Sequence, residues 1–301
     1  MIQKNKVAIV GYGNIGKYAI KAVEAAPDFV IGGLVRSSGA NKLQETKHLN
    51  IPVVNNIKDL TDIKVALLCL PTRLVPQTAA EILALGINTV DSYDIHGQLA
   101  DYRIKSDLIA KKHNSVSIIS AGWDPGTDSM VRCMFEFMAP QGITYTNFGP
   151  GMSMGHSVAA RAIEGVKNAL SMTMPQGAGI HKRVVYVEME SGQTLEDITA
   201  RLKADDYFAH DDTKVIAVED INTLIDMGHG VSMQRKGVSS STHNQLMNLQ
   251  MSINNPALTA QIMLASARAT LRQKPGAYTM IEVPIIDYLP GDRDQIIRKL
   301  V

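Results

Sequence analysis

The stretch that most constrains how this chain can fold is Lys6–Lys17, KVAIVGYGNIGK. An apolar run of strand character stops at Gly11, glycines follow at 13 and 16, and a helix-compatible pattern begins. In a G-x-G-x-x-G turn the first glycine permits the tight bend and the second lets the backbone approach a pyrophosphate. The third lets the helix pack closely on the strand. The helix N-terminus adds unpaired N–H groups and its dipole, both suited to phosphate. A lone motif of this kind is also found in ordinary glycine-rich βα turns. Flanked as it is here, it reads as a dinucleotide site formed by Gly11, Tyr12, Gly13, Asn14, Ile15 and Gly16.

The chain that follows fits this reading. Residues 17–26 have helical amphipathicity ended by Pro27-Asp28, and Phe29–Val35 is a second strand, completing a βαβ unit of about 30 residues. NAD-binding units usually place Asp or Glu at the end of that strand to hold the ribose hydroxyls. Here the residues are Arg36, Ser37 and Ser38, a cation and two hydroxyls that suit a 2′-phosphate, so NADP is expected over NAD. The alternative for Arg36 is a solvated surface charge. Further strands are expected at Ile51–Val54, Val65–Leu70, 87–90 and 115–119, with helices at 76–86 and 99–113. This alternation predicts an α/β fold, a Rossmann-type doubly wound parallel sheet. Its strand-end loops (11–16, 36–38, Leu70-Pro71-Thr72-Arg73, 91–96 and 120–126) should share one rim.

After about residue 127 the pattern changes. A helix over MVRCMFEFM precedes strand-like segments at 143–148, 182–190 and 213–220 and long extended stretches over 229–252. Strands without long intervening helices predict a second α+β domain built on a mixed or antiparallel sheet. A closing helix, Pro256–Arg272, is expected to lead the chain back to the first domain. The expected division is therefore 1–122 with 256–301 for the dinucleotide, and 123–255 for the substrate.

Composition removes several function classes. A net charge of +1 over 301 residues gives no electrostatic argument for nucleic acid or an anionic membrane. No apolar run approaches membrane-spanning length, and the early first strand leaves no expected room for a signal peptide. Two cysteines without a C-x-x-C pattern point to a reducing cytoplasm. The eight histidines lack metal-ligand spacing, so no metal is expected. Cys133, in an apolar helical run, reads as an inert core thiol rather than a nucleophile.

Two carboxylates stand at strand ends on the expected rim. Asp94 follows the 87–90 strand, and Asp124 sits in Gly-Trp-Asp-Pro-Gly beside the only tryptophan. Either could hold an ammonium group or accept a proton, although Asp124 could equally be a helix cap or Asx-turn residue. Asp91, directly off its strand, reads as structural. The glycine-rich loop Gly149–Ser157 offers free N–H groups for an anion, or is a plain turn. Thr173, Arg183, His229 and Asn255, taken singly, are more often surface or core than ligands.

Together VAIVGYGNIG, VDSYDIHG, SAGWDPGTDS, NFGPGMSMGHS, HKRVVYVE, GHGV, INNPALTAQ and GAYTMIEVP resemble the blocks of the meso-diaminopimelate dehydrogenases, in their order and over nearly the whole chain. The chain is short between Pro175 and His181, as in the family's shorter members. The resemblance implies an NADP-dependent dehydrogenase that converts the D-centre of meso-2,6-diaminopimelate to L-2-amino-6-oxopimelate and ammonia. It implies cofactor contacts at Tyr12–Ile15, Arg36–Ser38, Leu70–Arg73, Ser92, Tyr93, Ala121, Gly122, Pro125 and Gly126. Asp94 and Asp124 would hold the reacting amino centre, and Trp123 and Phe148 would wall the pocket. Met154 and Gly155 would offer backbone to a carboxylate, while Thr173, Arg183, His229 and Asn255 would bind the carboxylates and the distal centre. The family also implies a homodimer formed through the second domain. The longer members carry two adjacent arginines after the second strand, where this chain has Arg36 alone. A related dehydrogenase for another D-amino acid and a catalytically silent NADP-sensing protein are the rival readings.

Overall fold

The apolar run before Gly11 forms strand β1 (Asn5–Val10), in which Val7, Ala8 and Ile9 are completely buried. Burial on both faces is what a central parallel strand requires, and it explains why the run does not alternate. The computed structural model describes residues 4–36, 46, 49–225 and 228–301, so Ser37 and Ser38 lie outside the described residues. The chain divides into two compact units, Met1–Cys133 with Pro256–Val301, and Met134–Asn255.

In the first unit β1 is followed by α1 (Asn14–Glu24), whose buried residues Gly16, Ala19, Ile20 and Val23 recur at the spacing of one helical face. Then come β2 (Phe29–Val35), β3 (Val53–Val54), β4 (Ile63–Leu68), α2 (Val75–Leu83), β5 (Asn88–Asp91), α3 (Leu99–Lys112) and β6 (Val116–Ile118). The late strand β13 (Gly276–Tyr278) pairs with β6, giving a parallel sheet of order β13-β6-β5-β4-β1-β2-β3. Ala8, Val10, Ala66, Leu68, Ala79, Ile82, Tyr93 and Tyr102 belong to one core cluster beneath this sheet's helices. This is the doubly wound architecture expected from the alternation of strands and helices.

Helix α4 (Thr127–Met138) opens the transition to the second unit. That unit contains β7 (Gln141–Met152), α5 (Met154–Arg161), β8 (Val166–Gly177), β9 (Ile180–Met189), α6 (Leu195–Ala204), β10 (Thr213–Ala217), β11 (Gly228–Ser239) and β12 (Thr242–Asn254). Its sheet has the order β10-β9-β8-β7-β11-β12, antiparallel except where β10 runs parallel to β9. Ile198, Leu202 and Phe208 pack with Val185 and Val187 to form its core. Arg235 is buried in this unit and satisfied throughout: it donates to both Glu136 carboxylate oxygens (2.6 and 3.0 Å), to Thr144 Oγ1 (2.8 Å) and to the Ala139 carbonyl. Helices α7 (Asn255–Thr270) and α8 (Arg293–Leu300) close the chain, α7 with apolar residues buried on nearly every side.

Strand β8 and helices α5 and α6 are elements that the sequence pattern did not announce. β8 interleaves Lys167, Asn168, Ser171 and Thr173 with its apolar residues, so the period-two signal is diluted. Cys133 corrects another expectation. It is exposed, because the buried side of α4 at this level is taken by Phe135 while Met134, Phe137 and Met138 also face outward. Among the described residues no helix is long and apolar enough to cross a membrane.

Candidate active site

The sheet order places β1 beside β4, with the chain continuing outward in opposite directions from the two strands. Such a reversal opens a crevice at the strands' carboxyl ends. Gly11 and Gly16 are required there by space. A Cβ on Gly11, whose φ is +100°, would run into the Cys69 carbonyl, and one on Gly16 would run into the carbonyl of Gly11. Gly13 is the opposite case, with nothing within 4 Å of its Cβ position. It is also the N-cap of α1 and supplies no side-chain cap, so the first-turn N–H groups of Asn14, Ile15 and Gly16 are left for another acceptor. An open concavity lined by backbone donors at a helix N-terminus fits a diphosphate. Tyr12 and Arg36 meet at its edge, the guanidinium carbon 5.3 Å from the ring centroid. An arginine held over an aromatic ring suits a 2′-phosphate.

The carboxyl ends of β4, β5 and β6 come together on the same rim. Thr72, in the Leu70-Pro71-Thr72-Arg73 turn, donates from Oγ1 to Asp94 Oδ1 at 2.5 Å. The N–H of Ala121 donates to the Asp91 carbonyl at 2.6 Å, and Gly122 lies against Ser92. Asp91 is buried and accepts from the N–H groups of Tyr93 and Ser120 (3.0 Å each) and from the Tyr102 hydroxyl (2.7 Å). It therefore joins two strand-end loops, in keeping with its reading as structural. The Tyr93 ring is buried against Tyr102, with centroids 4.7 Å apart, and its hydroxyl reaches Gln98. That side chain belongs to the core and not to the rim.

Beyond β6, Gly122 N–H donates to the Pro125 carbonyl, and Thr127 N–H to Gly122, folding Trp123, Asp124, Pro125 and Gly126 into a tight loop before α4. Gly126 has φ +146°, and a Cβ there would strike the Gly122 carbonyl. Trp123 is buried. Asp124 Oδ1 is also buried and takes no hydrogen bond from an N–H or O–H donor among the described residues. Burial first, and then a hydrogen bond and charge contact with Asp128, push the Asp124 carboxyl up to about 8. A helix-capping aspartate would receive backbone N–H bonds and move the other way.

In the second unit a single cross-strand row gathers residues far apart in sequence. His229 on β11 pairs with Gly151 on β7, Gly151 with Thr173 on β8, and Thr173 with Arg183 on β9. Directly opposed residues of antiparallel strands project on the same face. Gly151 is needed in this row because a Cβ would press on His229. Arg183 Nη1 donates to Thr173 Oγ1 at 2.8 Å, and its Nε donates to Asp211. His229 approaches the Met152 carbonyl at 3.3 Å, and burial with the nearby Arg183 charge lowers its imidazole pKa. His156, 3.5 Å from Asp211, is pushed down to about 4, mainly by burial and then by Arg183. Met154 and Gly155 form the first turn of α5, whose N-cap Ser153 provides no side-chain cap. Phe148 is half-buried on β7, and Asn255 begins α7, one residue beyond the Gly228–Asn254 pair.

This chain is 58 % identical over all 301 residues to the meso-diaminopimelate D-dehydrogenase of Bacteroides fragilis, with both chains covered completely. It belongs to the meso-diaminopimelate D-dehydrogenase family. The oxidoreductase NAD-binding Rossmann fold model matches residues 5–118, and the diaminopimelic acid dehydrogenase C-terminal domain model matches 122–182. The C. glutamicum DAP dehydrogenase in complex with DAP superposes with a TM-score of 0.88 at 27 % identity, covering 100 % of each chain. An engineered D-amino acid dehydrogenase bound to NADP+ gives 0.84 at 26 %, covering 99 % of this chain and 100 % of that one.

For a member of this dehydrogenase family, four side chains around the expected site were not singled out from the sequence. Asp128 and Arg132 adjoin Asp124, and Asp211 and His181 adjoin Arg183. The first two do carry a signal, since 124, 128 and 132 step by four along the start of a helix. Asp211 carries none, because it meets Arg183 only through the fold.

Proposed function

We propose that this chain catalyses the reversible, NADP-dependent oxidative deamination of the D-centre of meso-2,6-diaminopimelate, giving L-2-amino-6-oxopimelate and ammonia. The observation that carries this reading is the end-to-end 58 % identity to a meso-diaminopimelate D-dehydrogenase. The residues suit that chemistry. The substrate has two carboxylates and two ammonium groups, so it needs cationic and N–H donors together with carboxylate acceptors. Arg183, Thr173, His229, Asn255 and the first-turn N–H groups of Met154 and Gly155 would serve the carboxylates and the distal L-centre. Asp94 and Asp124 would hold the reacting ammonium, with Trp123 and Phe148 as walls.

In the first unit the glycine turn would take the cofactor's diphosphate and Arg36 its 2′-phosphate. Leu70–Arg73, Ser92, the Tyr93 backbone and Ala121–Gly126 would line the rest. Bound there, NADP+ supplies the hydride acceptor. The protein's own part is to fix the α-carbon, keep the ammonium against carboxylates and take up its proton. The first unit is then the dinucleotide unit and the second the unit for substrate and dimerisation. An exposed row of Ile143, Lys236 and Leu246, with Phe137 exposed on α4, supports self-association to a homodimer, which we assign to the cytoplasm.

The test is NADP+ and NAD+ reduction at alkaline pH with meso-, LL- and DD-diaminopimelate and with simple D-amino acids. The meso isomer with NADP+ should be turned over fastest by at least about tenfold, a margin of about 1.4 kcal/mol. No turnover of the meso isomer overturns the reading. A simple D-amino acid that matches it would move the specificity elsewhere.

A further inference from the structure

We propose that Asp128, held by Arg132, is a positioning residue that keeps a proton on Asp124 and thereby sets when Asp124 can exchange a proton with the substrate's reacting nitrogen. The proposal rests on the reading of Asp124 as the carboxylate that meets the D-amino centre.

The geometry begins at the start of α4. Asp128 N–H donates to the Trp123 carbonyl at 2.9 Å, which ties the helix start to the residue before Asp124. The Asp128 side chain is 1 % exposed and its Oδ2 lies 2.8 Å from Arg132 Nη2. Ser129 Oγ donates to Asp128 Oδ1 at 3.3 Å. On its other side Asp128 is in hydrogen-bond contact with Asp124.

Two ionised carboxylates have no donor between them, so such a contact needs a proton. Two carboxyl groups this close cannot both ionise near their ordinary values. The ion pair with Arg132 fixes the Asp128 carboxyl in place, and Asp124, whose Oδ1 has no other donor among the described residues, is the carboxyl that this contact raises. The remaining charged group facing Asp124 is Asp94, which acts in the same direction as Asp128, while Arg132 opposes both.

The step this controls is a balanced one. As the Cα–H bond gives its electron pair to the nicotinamide as hydride, an N–H bond of the ammonium breaks. Its proton goes to Asp124, and the freed nitrogen pair closes the C=N bond of the iminium. In the aminating direction protonated Asp124 returns that proton. A carboxyl that titrates near 8 can work in both directions across the neutral-to-alkaline range, which one near 4 could not.

The experiment is a carbon NMR titration of aspartate-labelled enzyme without substrate, on wild type, Asp128→Asn and Arg132→Met, with Asp124→Asn used to assign the Asp124 signal. Asparagine at 128 removes the second carboxyl and offers an amide donor to ionised Asp124, so the Asp124 midpoint should fall by about one pH unit or more. Arg132→Met removes the opposing cation, so the midpoint should rise. The acid limb of the kcat/KM profile for deamination should move with each, while NADP+ affinity stays unchanged. A purely structural role for Asp128 would not give opposite shifts. Unmoved midpoints, or shifts of the same sign, overturn the proposal. Opposite NMR shifts with an unmoved kinetic limb would leave the carboxyl pair standing and overturn Asp124 as the proton acceptor.

Discussion

Asp91 and Asp124 stand at or just past the ends of neighbouring strands of one sheet, and burial raises both carboxyls, yet they are built for different work. Around Asp91 three donors converge, two backbone N–H groups and the Tyr102 hydroxyl, and each pulls against the effect of burial. Around Asp124 the polar group that adds to the effect of burial is another carboxyl, Asp128. The first carboxylate is satisfied and joins loops; the second is left with a proton to exchange. The difference shows that depth alone does not mark a reactive group. What marks it is burial without donors, a cost that a structural residue would have no reason to retain.

The largest effect that separates the two residues should be catalytic. Asp124→Asn keeps the shape but cannot accept a proton, so kcat should fall by about 10²–10⁴-fold with NADP+ affinity within about twofold. Asp91→Asn should leave kcat within about threefold, because its amide oxygen can still accept the two N–H bonds. Stopped-flow and steady-state measurements of NADPH formation decide this, and similar losses in both variants would erase the contrast.

Stability should run the other way. Asp91→Ala leaves the Tyr93 and Ser120 N–H groups and the Tyr102 hydroxyl buried without their acceptor, at about 3–5 kcal/mol in all. Chemical denaturation should show this loss in the folding of the first unit.

A smaller effect concerns pH. Asp124 titrates near 8 in the fold and near 4 when unfolded, so the native state holds the extra proton between those values. Its contribution to stability is complete below pH 4, declines as pH rises, and is gone above about 8. Asp124→Asn removes this liability, and its advantage over wild type should grow steadily from pH 5 to 8 and then level off. Thermal melts at stepped pH would reveal the slope, and a constant difference would mean that Asp124 is ionised throughout.

The same contrast explains what could be read from the chain before it was folded. The glycine turn was legible because a close backbone approach admits no other residue, so the geometry is written locally at Gly11 and Gly16. The parallel sheet and the strand-end position of Asp94 and Asp124 followed from periodicity. The row His229–Gly151–Thr173–Arg183 was known only through family resemblance, since register across four strands brings it together and polar β8 hid its own strand. Asp211 at Arg183 is wholly a product of tertiary structure. Cys133 misled because an apolar helix was equated with a buried one, while α4 leaves much of its apolar surface outward. Asp128 and Arg132 were in plain view at four-residue steps, but their spacing has meaning only once α4 is known to begin at Thr127.

The smallest test bears on the satisfied side of the comparison. Tyr102→Phe deletes one donor, the 2.7 Å bond to Asp91 Oδ2, and keeps the ring that packs on Tyr93. The two N–H bonds to Oδ1 remain, so the loss should be about 1–2 kcal/mol, seen as a lower melting midpoint. With that donor gone, burial acts on Asp91 with less opposition, and its carboxyl should move further up. If Asp91 is only a joint between loops, that movement touches no step of the reaction, and the pH profile of kcat/KM should coincide with that of wild type. A shifted profile would mean that Asp91 communicates with the proton on Asp124 through the Ser120–Ala121 backbone, and the division between a structural and a reactive carboxyl would have to be redrawn as one coupled system.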